Sequence, residues 1–545
     1  MSRSMSSSAS SPTSSTQGHN PYNFDEFLAW RNEADFLQAD PFMVRAIQRY
    51  AQPLSDEAYA DVASFAQRLT ERYQHLADTA GRPENAPVMM HFDAHNNRID
   101  RIVRPAETLQ LEREIWNEAM FSKQTDRWQR FLKIFLMAQI GEAGVGCAHC
   151  CTSGLILILE RFAETPELQA ILEHCTEGKD GEYAIGAQFL SEIQGGSDVQ
   201  ANRVEALGTE DGWRIYGTKF YCSAAHADYA LVTAKPSGSQ DVGLFVVPMW
   251  ADKARERRNG YVINKLKSKL GTRELPTAEI TFEGAVAYPA GDLQRGLANI
   301  VGIVLAHSRF ITGMGAAAYM IRATREAKQY AKFRTAFGVT IEKFGLVARQ
   351  LGELDTASKR STASILKMQR EIFDVEDLAG SPEKTESDNA GAFKRQEFRL
   401  RMLIMLHKLV VSADAARLTE TAMSIFGGHG LMEDFSSIPR LYRDAVVLNG
   451  AWEGPRNLLL TRIFMDMQRA AVKWYEPAEL IADLLPATDT VAREDLANQL
   501  GEILAFKSLV ADDPQTLEVC DRWDALCIKI FHAYQDEAVA EVEAS

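Results

Sequence analysis

The sequence predicts an α+β chain of several domains in the order helical, β, helical, because its hydrophobic period changes twice. From about Tyr22 to residue 180, apolar residues recur three and four positions apart in segments such as FDEFLAWRNEADFL and RWQRFLKIFLMAQIGEAG, the spacing of amphipathic helices. Between 181 and 296 the pattern becomes short runs rich in β-branched and aromatic residues with glycines between them. Helical spacing then returns in stretches long enough for a bundle. A length of 545 residues also exceeds a typical single domain several-fold.

Residues 1–21 are Ser-rich without an apolar stretch, which predicts a disordered N-terminus and no secretory signal. Residues 22–180 form the first helical domain. Within it, CAHCC places Cys147, His149, Cys150 and Cys151 in five positions, but no second pair with ligand spacing follows and the text continues as TSGLILILERF. Small buried residues on a helix are expected there, and no metal site. Residues 181–296 are the β domain, with WRIYGTKFYCS, YALVTAK, VGLFVVPMW and AEITFEGAVAYP as its strand-like runs. The bundle, 297–470, is interrupted by a polar break at 380–391. Gly313 to Ala318 formally fits a dinucleotide fingerprint, yet no strand precedes it and Arg334 stands in the region where an acid is required, so close helix packing is expected instead. Residues 471–545 are an acidic extension of two or three helices.

Hydrophobic residues make up 46% and charged residues 24% of the chain, ordinary globular composition, and no uninterrupted apolar run approaches the roughly 20 residues of a membrane span. No membrane association is expected. Seven dispersed cysteines read as reduced thiols, which points to a reducing, cytoplasmic setting. Of the net charge of −15, the segment from Ala471 onward supplies a balance of −11, with 5 Lys/Arg against 16 Asp/Glu. That surface would repel a phosphate backbone, so nucleic acid is not an expected partner.

Two stretches carry candidate chemistry. In SEIQGGSDV, Gly195 and Gly196 allow close backbone approach to an anion and Ser197 adds a hydroxyl, although such a loop alone is more often merely a turn. In LNGAWEGPRNLLLTRI, Glu453 follows Trp452 and precedes the flexible Gly454 and the helix-starting Pro455, an unusual place for a carboxylate.

Taken in order, SEIQGGSDV, GTKFYCSAA, KLGTRELPTAEITFEGA, HSRF, KFRTAFG, SIFGGHG and YRDAVVLNGAWEGPRN resemble the acyl-CoA dehydrogenase family of flavoproteins, over about Tyr22 to Arg462. The phrase IPRLYRDAVVLNGAWEGPRN and the long extension are most similar to its AidB-like branch, associated with the adaptive response to alkylation. The resemblance implies a barrel-like central β domain, FAD as cofactor, and a homo-oligomer, dimer or tetramer. It implies that Leu190 and Ser191 meet the flavin ring, that Gly196 and Ser197 lie by the pyrophosphate, and that Tyr221 and Ser223 pack the flavin. By the same resemblance Arg334, Phe337, Gly427 and Gly428 reach the FAD of a neighbouring subunit, and Asn457 is a further cofactor contact. Ser197, Ser308, Arg309, Trp452 and Gly454 fall at substrate positions. Glu453 falls on the catalytic glutamate. Gly345 and Ser424 stand where many members have glutamine, and Pro455 and Arg456 replace a common Thr-Ser pair.

The α-hydrogen of a thioester is feebly acidic, so its removal needs a carboxylate on one face while the flavin accepts a hydride from the β-carbon on the other. Burial against Trp452 raises the acid's pKa and the helix starting at Pro455 lowers it; burial is expected to win once substrate excludes water. The expected function is an FAD-dependent acyl-CoA dehydrogenase of fatty-acid metabolism that makes a 2,3-enoyl thioester and passes electrons to an electron-transferring flavoprotein. The alternatives are an AidB-like alkylation-response protein that binds nucleic acid, and a flavin oxidase or monooxygenase on the same fold.

Overall fold

Helix signals in the first domain are strong where side chains can close the orphan amides of the first turn. Asp40 accepts from the backbone of Phe42 and Met43 to start Pro41–Tyr50, and Asp126 with Gln129 forms a capping box for Arg127–Ala138. The computed structural model describes residues 23–379 and 387–545; the Ser-rich stretch 1–21 and the 380–386 part of the polar break lie outside the described residues. One segment expected to be helical is not. Val88–Phe92 and Arg98–Val103 form an antiparallel hairpin, its turn tied by Asp93, whose side chain accepts from the backbone of His95 and Asn97. Alternation in VMMHF and RIDRIV, with DAHNN between, is a strand-turn-strand pattern that the helices around it mask.

The central domain is a closed sheet. Strands run in the order Gly186–Phe189, Tyr229–Pro236, Glu205–Thr209, Gly212–Ser223, Thr277–Pro289 and Gly243–Pro248, and the last pairs back onto Tyr229–Pro236. Tyr261–Leu266 adds to the Thr277–Pro289 strand. Closure leaves only the short Gly186–Phe189 and Tyr261–Leu266 strands paired on one side, and the inward residues Ile215, Ala230, Val232, Phe245 and Ile280 fill the interior.

The bundle is built from Leu305–Phe333, Gly345–Ala379, Ser387–Phe426, Ile438–Gly450 and Arg456–Lys473. The last helix crosses the expected boundary at 470 and ends at Trp474, so the extension begins at that turn. Gly313 is a packing glycine: a Cβ there would lie 2.4 Å from His407 Nε2 on the neighbouring helix. Arg440, in the RLYRDAVVL stretch, stitches the bundle to the first domain through Asp78 (3.0 Å) and the carbonyl of Ile140 (2.9 Å).

Three helices, Pro477–Leu484, Thr490–Leu504 and Pro514–Glu543, form the extension, and one continuous apolar core runs from Phe36 through to Val542. Trp523, fully buried, donates to the Leu460 carbonyl at 2.9 Å. Part of the tail's acidity is paired with basic residues of the rest of the chain: Asp524 with Arg456, Asp536 with Arg360, Glu541 with Lys367, Glu479 with Arg395. The −11 balance therefore overstates the free negative surface. Two helical stretches, Ala143–Phe162 and Leu293–Phe333, are long and apolar enough to cross a membrane by length and composition, contrary to the run-length reading; 72% and 50% of their apolar windows are buried inside the protein, as core helices are.

Candidate active site

The first domain, the barrel and the bundle meet around a cavity of about 1220 Å³. Its barrel wall is made by Leu190, Ser191, Gly196, Ser197, Tyr221 and Ser223, all anticipated from sequence, together with Lys267, Lys269 and Thr277. Tyr221 is 53% exposed, an aromatic face left open to the cavity. Ser223 Oγ is 3.2 Å from Thr277 Oγ1, which in turn accepts from Lys269 Nζ at 3.0 Å. Burial pushes the Lys269 amine down to about 8, against Glu274, Cys147 and Asp444.

The loop that carries Leu190 to Ser197 is tethered from below. Lys219, 0% exposed, points into the barrel and donates to Glu192 Oε1 (2.8 Å), the Leu190 carbonyl (3.2 Å) and Thr233 Oγ1 (3.1 Å). Glu192 also accepts from the backbone of Arg203 (2.7 Å) and Val204 (3.2 Å). Both residues lie inside motifs given above, SEIQGGSDV and GTKFYCSAA, with no role evident from sequence; the signal is Lys219 at an inward position of its strand, four residues after the buried Ile215.

Opposite stands the bend Trp452-Glu453-Gly454-Pro455, between Ile438–Gly450 and Arg456–Lys473, and all four residues line the cavity. The chain turns here through φ +56° at Glu453 and +108° at Gly454, the second a conformation for which glycine is the suited residue. Arg309 Nε donates to the Glu453 carbonyl at 3.1 Å, and Lys408 Nζ to that of Gly454 at 2.7 Å. The Glu453 carboxylate forms no side-chain hydrogen bond or ion pair among the described residues, and Glu453 lines the cavity. Burial raises its pKa above the ordinary glutamate value, against the opposing fields of Arg309 and Lys408.

Not every sequence-predicted residue is here. Ser308 is 1% exposed beside Cys150 and does not line the cavity, whereas Cys150 does. Arg309 lines the cavity but its Nε holds backbone. Arg334, Phe337, Gly427, Gly428 and Asn457 lie off this cavity. Phe337, at the tip of the Thr335–Ala336/Val339–Thr340 hairpin, is 98% exposed, and Gly427 and Gly428 are exposed in the turn whose His429 pairs with Tyr330. Of the CAHCC residues, Cys147, Cys150 and Cys151 line the cavity; His149 instead stacks on Phe121 at 4.3 Å.

The end of the cavity near the start of Ala143–Phe162 is polar. Glu142 caps that helix through Val145 N (2.6 Å), and Tyr319 lines the wall beside it. Burial and the neighbouring Glu274 push the Glu142 carboxyl up to about 8. A raised folded-state pKa means that the folded chain keeps a proton which the unfolded chain loses above about 4.5, so this group's contribution to stability falls as pH rises from 4.5 to about 8. Glu142→Gln retains the cap acceptor and removes the titration. Its melting temperature should exceed that of the wild type at pH 8 and match it near pH 5; an equal difference at both would show that Glu142 does not titrate in this range.

A helical–β–helical chain whose three parts line a common cavity has the architecture of acyl-CoA dehydrogenases. Residues 187–285 match the acyl-CoA dehydrogenase middle domain and 294–468 the acyl-CoA dehydrogenase C-terminal domain, and the chain belongs to that family. It is 27% identical to acyl-CoA dehydrogenase family member 11 of Caenorhabditis elegans over 84% of this chain and 75% of that one. It is 26% identical to the putative acyl-CoA dehydrogenase AidB of Escherichia coli K12 over 71% of this chain and 70% of that one. The crystal structure of C. elegans ACDH-11 in complex with C11-CoA superposes with a TM-score of 0.73 at 23% identity, covering 99% of this chain and 92% of that one.

Proposed function

We propose that this protein is an FAD-dependent dehydrogenase of acyl-CoA thioesters, with Glu453 as the base that takes the α-proton. The observation that carries this reading is the Glu453 bend: a carboxylate with no side-chain partner among the described residues, made more basic by burial, on a bend held at the cavity by two backbone hydrogen bonds. A cavity of about 1220 Å³ exceeds the roughly 300–1,000 Å³ of a site for one small ligand, which suits a cofactor ring and an acyl chain together.

The barrel wall fits FAD. Leu190, Ser191, Tyr221 and Ser223 offer an apolar and aromatic face with hydroxyls at its edge, and Gly196 and Ser197 a close backbone approach. When bound, FAD supplies the acceptor for the electron pair that leaves with the β-hydrogen. Glu453 receives the α-proton as the double bond forms between the two carbons. The apolar lining by Ile134, Met137, Ile140 and Met314 receives the chain and excludes water, which keeps the Glu453 carboxylate poorly solvated and basic. Arg309 fixes the base through its carbonyl without pairing the carboxylate.

The exposed Phe337 hairpin and the Gly427–Gly428 turn support a homo-oligomer in which these residues meet a second copy's cofactor, and an electron-transferring flavoprotein as the acceptor completes the cycle. The relative solved with C11-CoA supports the same substrate class. In a test by anaerobic mixing, the FAD-loaded protein should bleach near 450 nm with at least one of a series of straight, branched and aromatic acyl-CoA esters; no bleaching with any of them removes acyl-CoA as the substrate class.

A further inference from the structure

Lys408 has no obvious reason to be a lysine. It sits within the apolar run MLIMLHKLVV of the Ser387–Phe426 helix, is 1% exposed, and forms no ion pair with a carboxylate among the described residues. Its Nζ donates to two backbone carbonyls, Gly454 at 2.7 Å and Asn449 at 3.3 Å. Asn449 belongs to the last turn of Ile438–Gly450, where carbonyls lack intrahelical partners and a cation is favoured by the helix dipole. Burial pushes the amine down to about 8, so its placement works against solvation and must be offset by what it holds.

What it holds is the bend. A non-glycine residue in the left-handed region costs roughly 1–2 kcal/mol, and Glu453 at φ +56° has no cap of its own to offset this. Adjacent carbonyls, those of Glu453 and Gly454, are each taken by a cation from a different helix, the half-buried Arg309 from Leu305–Phe333 and the buried Lys408 from Ser387–Phe426. Lys408 alone also reaches back to the helix that precedes the bend, so it spans both sides of the turn. Without that span, residues 451–455 could relax toward ordinary φ values and draw the carboxylate away from the cavity.

We infer that Lys408 is a positioning residue for the base: a buried ammonium that clamps the Asn449 and Gly454 carbonyls and thereby aims the Glu453 side chain. This rests on the reading of Glu453 as the base, but the clamp itself can be tested apart from it.

The experiment compares FAD-loaded wild type with Lys408→Met, Lys408→Gln and Lys408→Arg. Hydrogen exchange followed by mass spectrometry should quicken at least tenfold in the peptide spanning 449–456 for the Met and Gln variants, while the body of Arg456–Lys473 keeps its wild-type rate. In the same variants kcat for an acyl-CoA that reduces the wild type should fall more than tenfold with KM changed by less than threefold. Arginine, which can donate to both carbonyls, should recover part of both losses. If Met destabilises the chain too far to purify, Gln, which is shorter but polar, carries the same comparison. Wild-type exchange at 449–456, or exchange that rises there only in step with every other peptide, overturns the inference. Should no acyl-CoA reduce even the wild type, the proposed function fails while the exchange result still decides whether Lys408 holds the bend.

Discussion

Glu453→Gln is expected to keep its FAD and lose flavin reduction by acyl-CoA by at least roughly 10³-fold, the scale of a positioned general base. The bonds that shape the bend go to the backbone carbonyls of residues 453 and 454, so an amide side chain of the same length leaves them in place. The visible spectrum of the bound flavin and the melting temperature should therefore match wild type while the anaerobic bleaching rate collapses. Glu453→Asp separates reach from chemistry: it keeps a carboxylate but withdraws it by one methylene, and a displacement of about 1 Å costs on the order of 10²-fold. In the wild type the base must be ionised to act, and burial raises its pKa against Arg309 and Lys408. The reduction rate should accordingly rise with pH, with a midpoint above the ordinary carboxylate range. Bleaching of Glu453→Gln at the wild-type rate would take Glu453 out of the mechanism.

The order of domains was legible because helix and strand impose different periods on the same apolar residues, and the barrel wall was legible because its residues sit in contiguous motifs. Closure of the barrel was legible only through the family resemblance, since pairing of Tyr229–Pro236 with both Glu205–Thr209 and Gly243–Pro248 is a long-range choice that period two does not encode. The hairpin Val88–Phe92/Arg98–Val103 was hidden by the helices that flank it in sequence. That Ser308 lies off the cavity, its short side chain beside Cys150, was not legible because no spacing rule foretells how the helix carrying Cys150 approaches. Lys219 and Lys408, two of the buried lysines, are the most instructive misses. A lysine in an apolar run reads as one that extends to solvent, and the partners of Lys408 are carbonyls 41 and 46 residues away, which carry no side-chain signature at all.

Lys219→Met should be the most destabilising single change near the site, costing about 3–5 kcal/mol by urea unfolding, because it leaves the buried Glu192 carboxylate without its counter-charge. All three ammonium hydrogens are in use, on Glu192, the Leu190 carbonyl and Thr233, and methionine replaces none of them. Glu192 keeps the amides of Arg203 and Val204, so the loop should loosen rather than detach. The consequence is local as well as global: Leu190 and Ser191 form part of the barrel wall, and FAD affinity should fall together with stability. Glu192→Gln added to Lys219→Met removes the stranded charge while preserving an acceptor for one of the two amides, and the double variant should regain part of the lost stability without regaining FAD affinity, since the Leu190 carbonyl is still without its ammonium. A single variant within 1 kcal/mol of wild type, or a double variant no more stable than the single, would show that the Lys219–Glu192 pair does not anchor this loop.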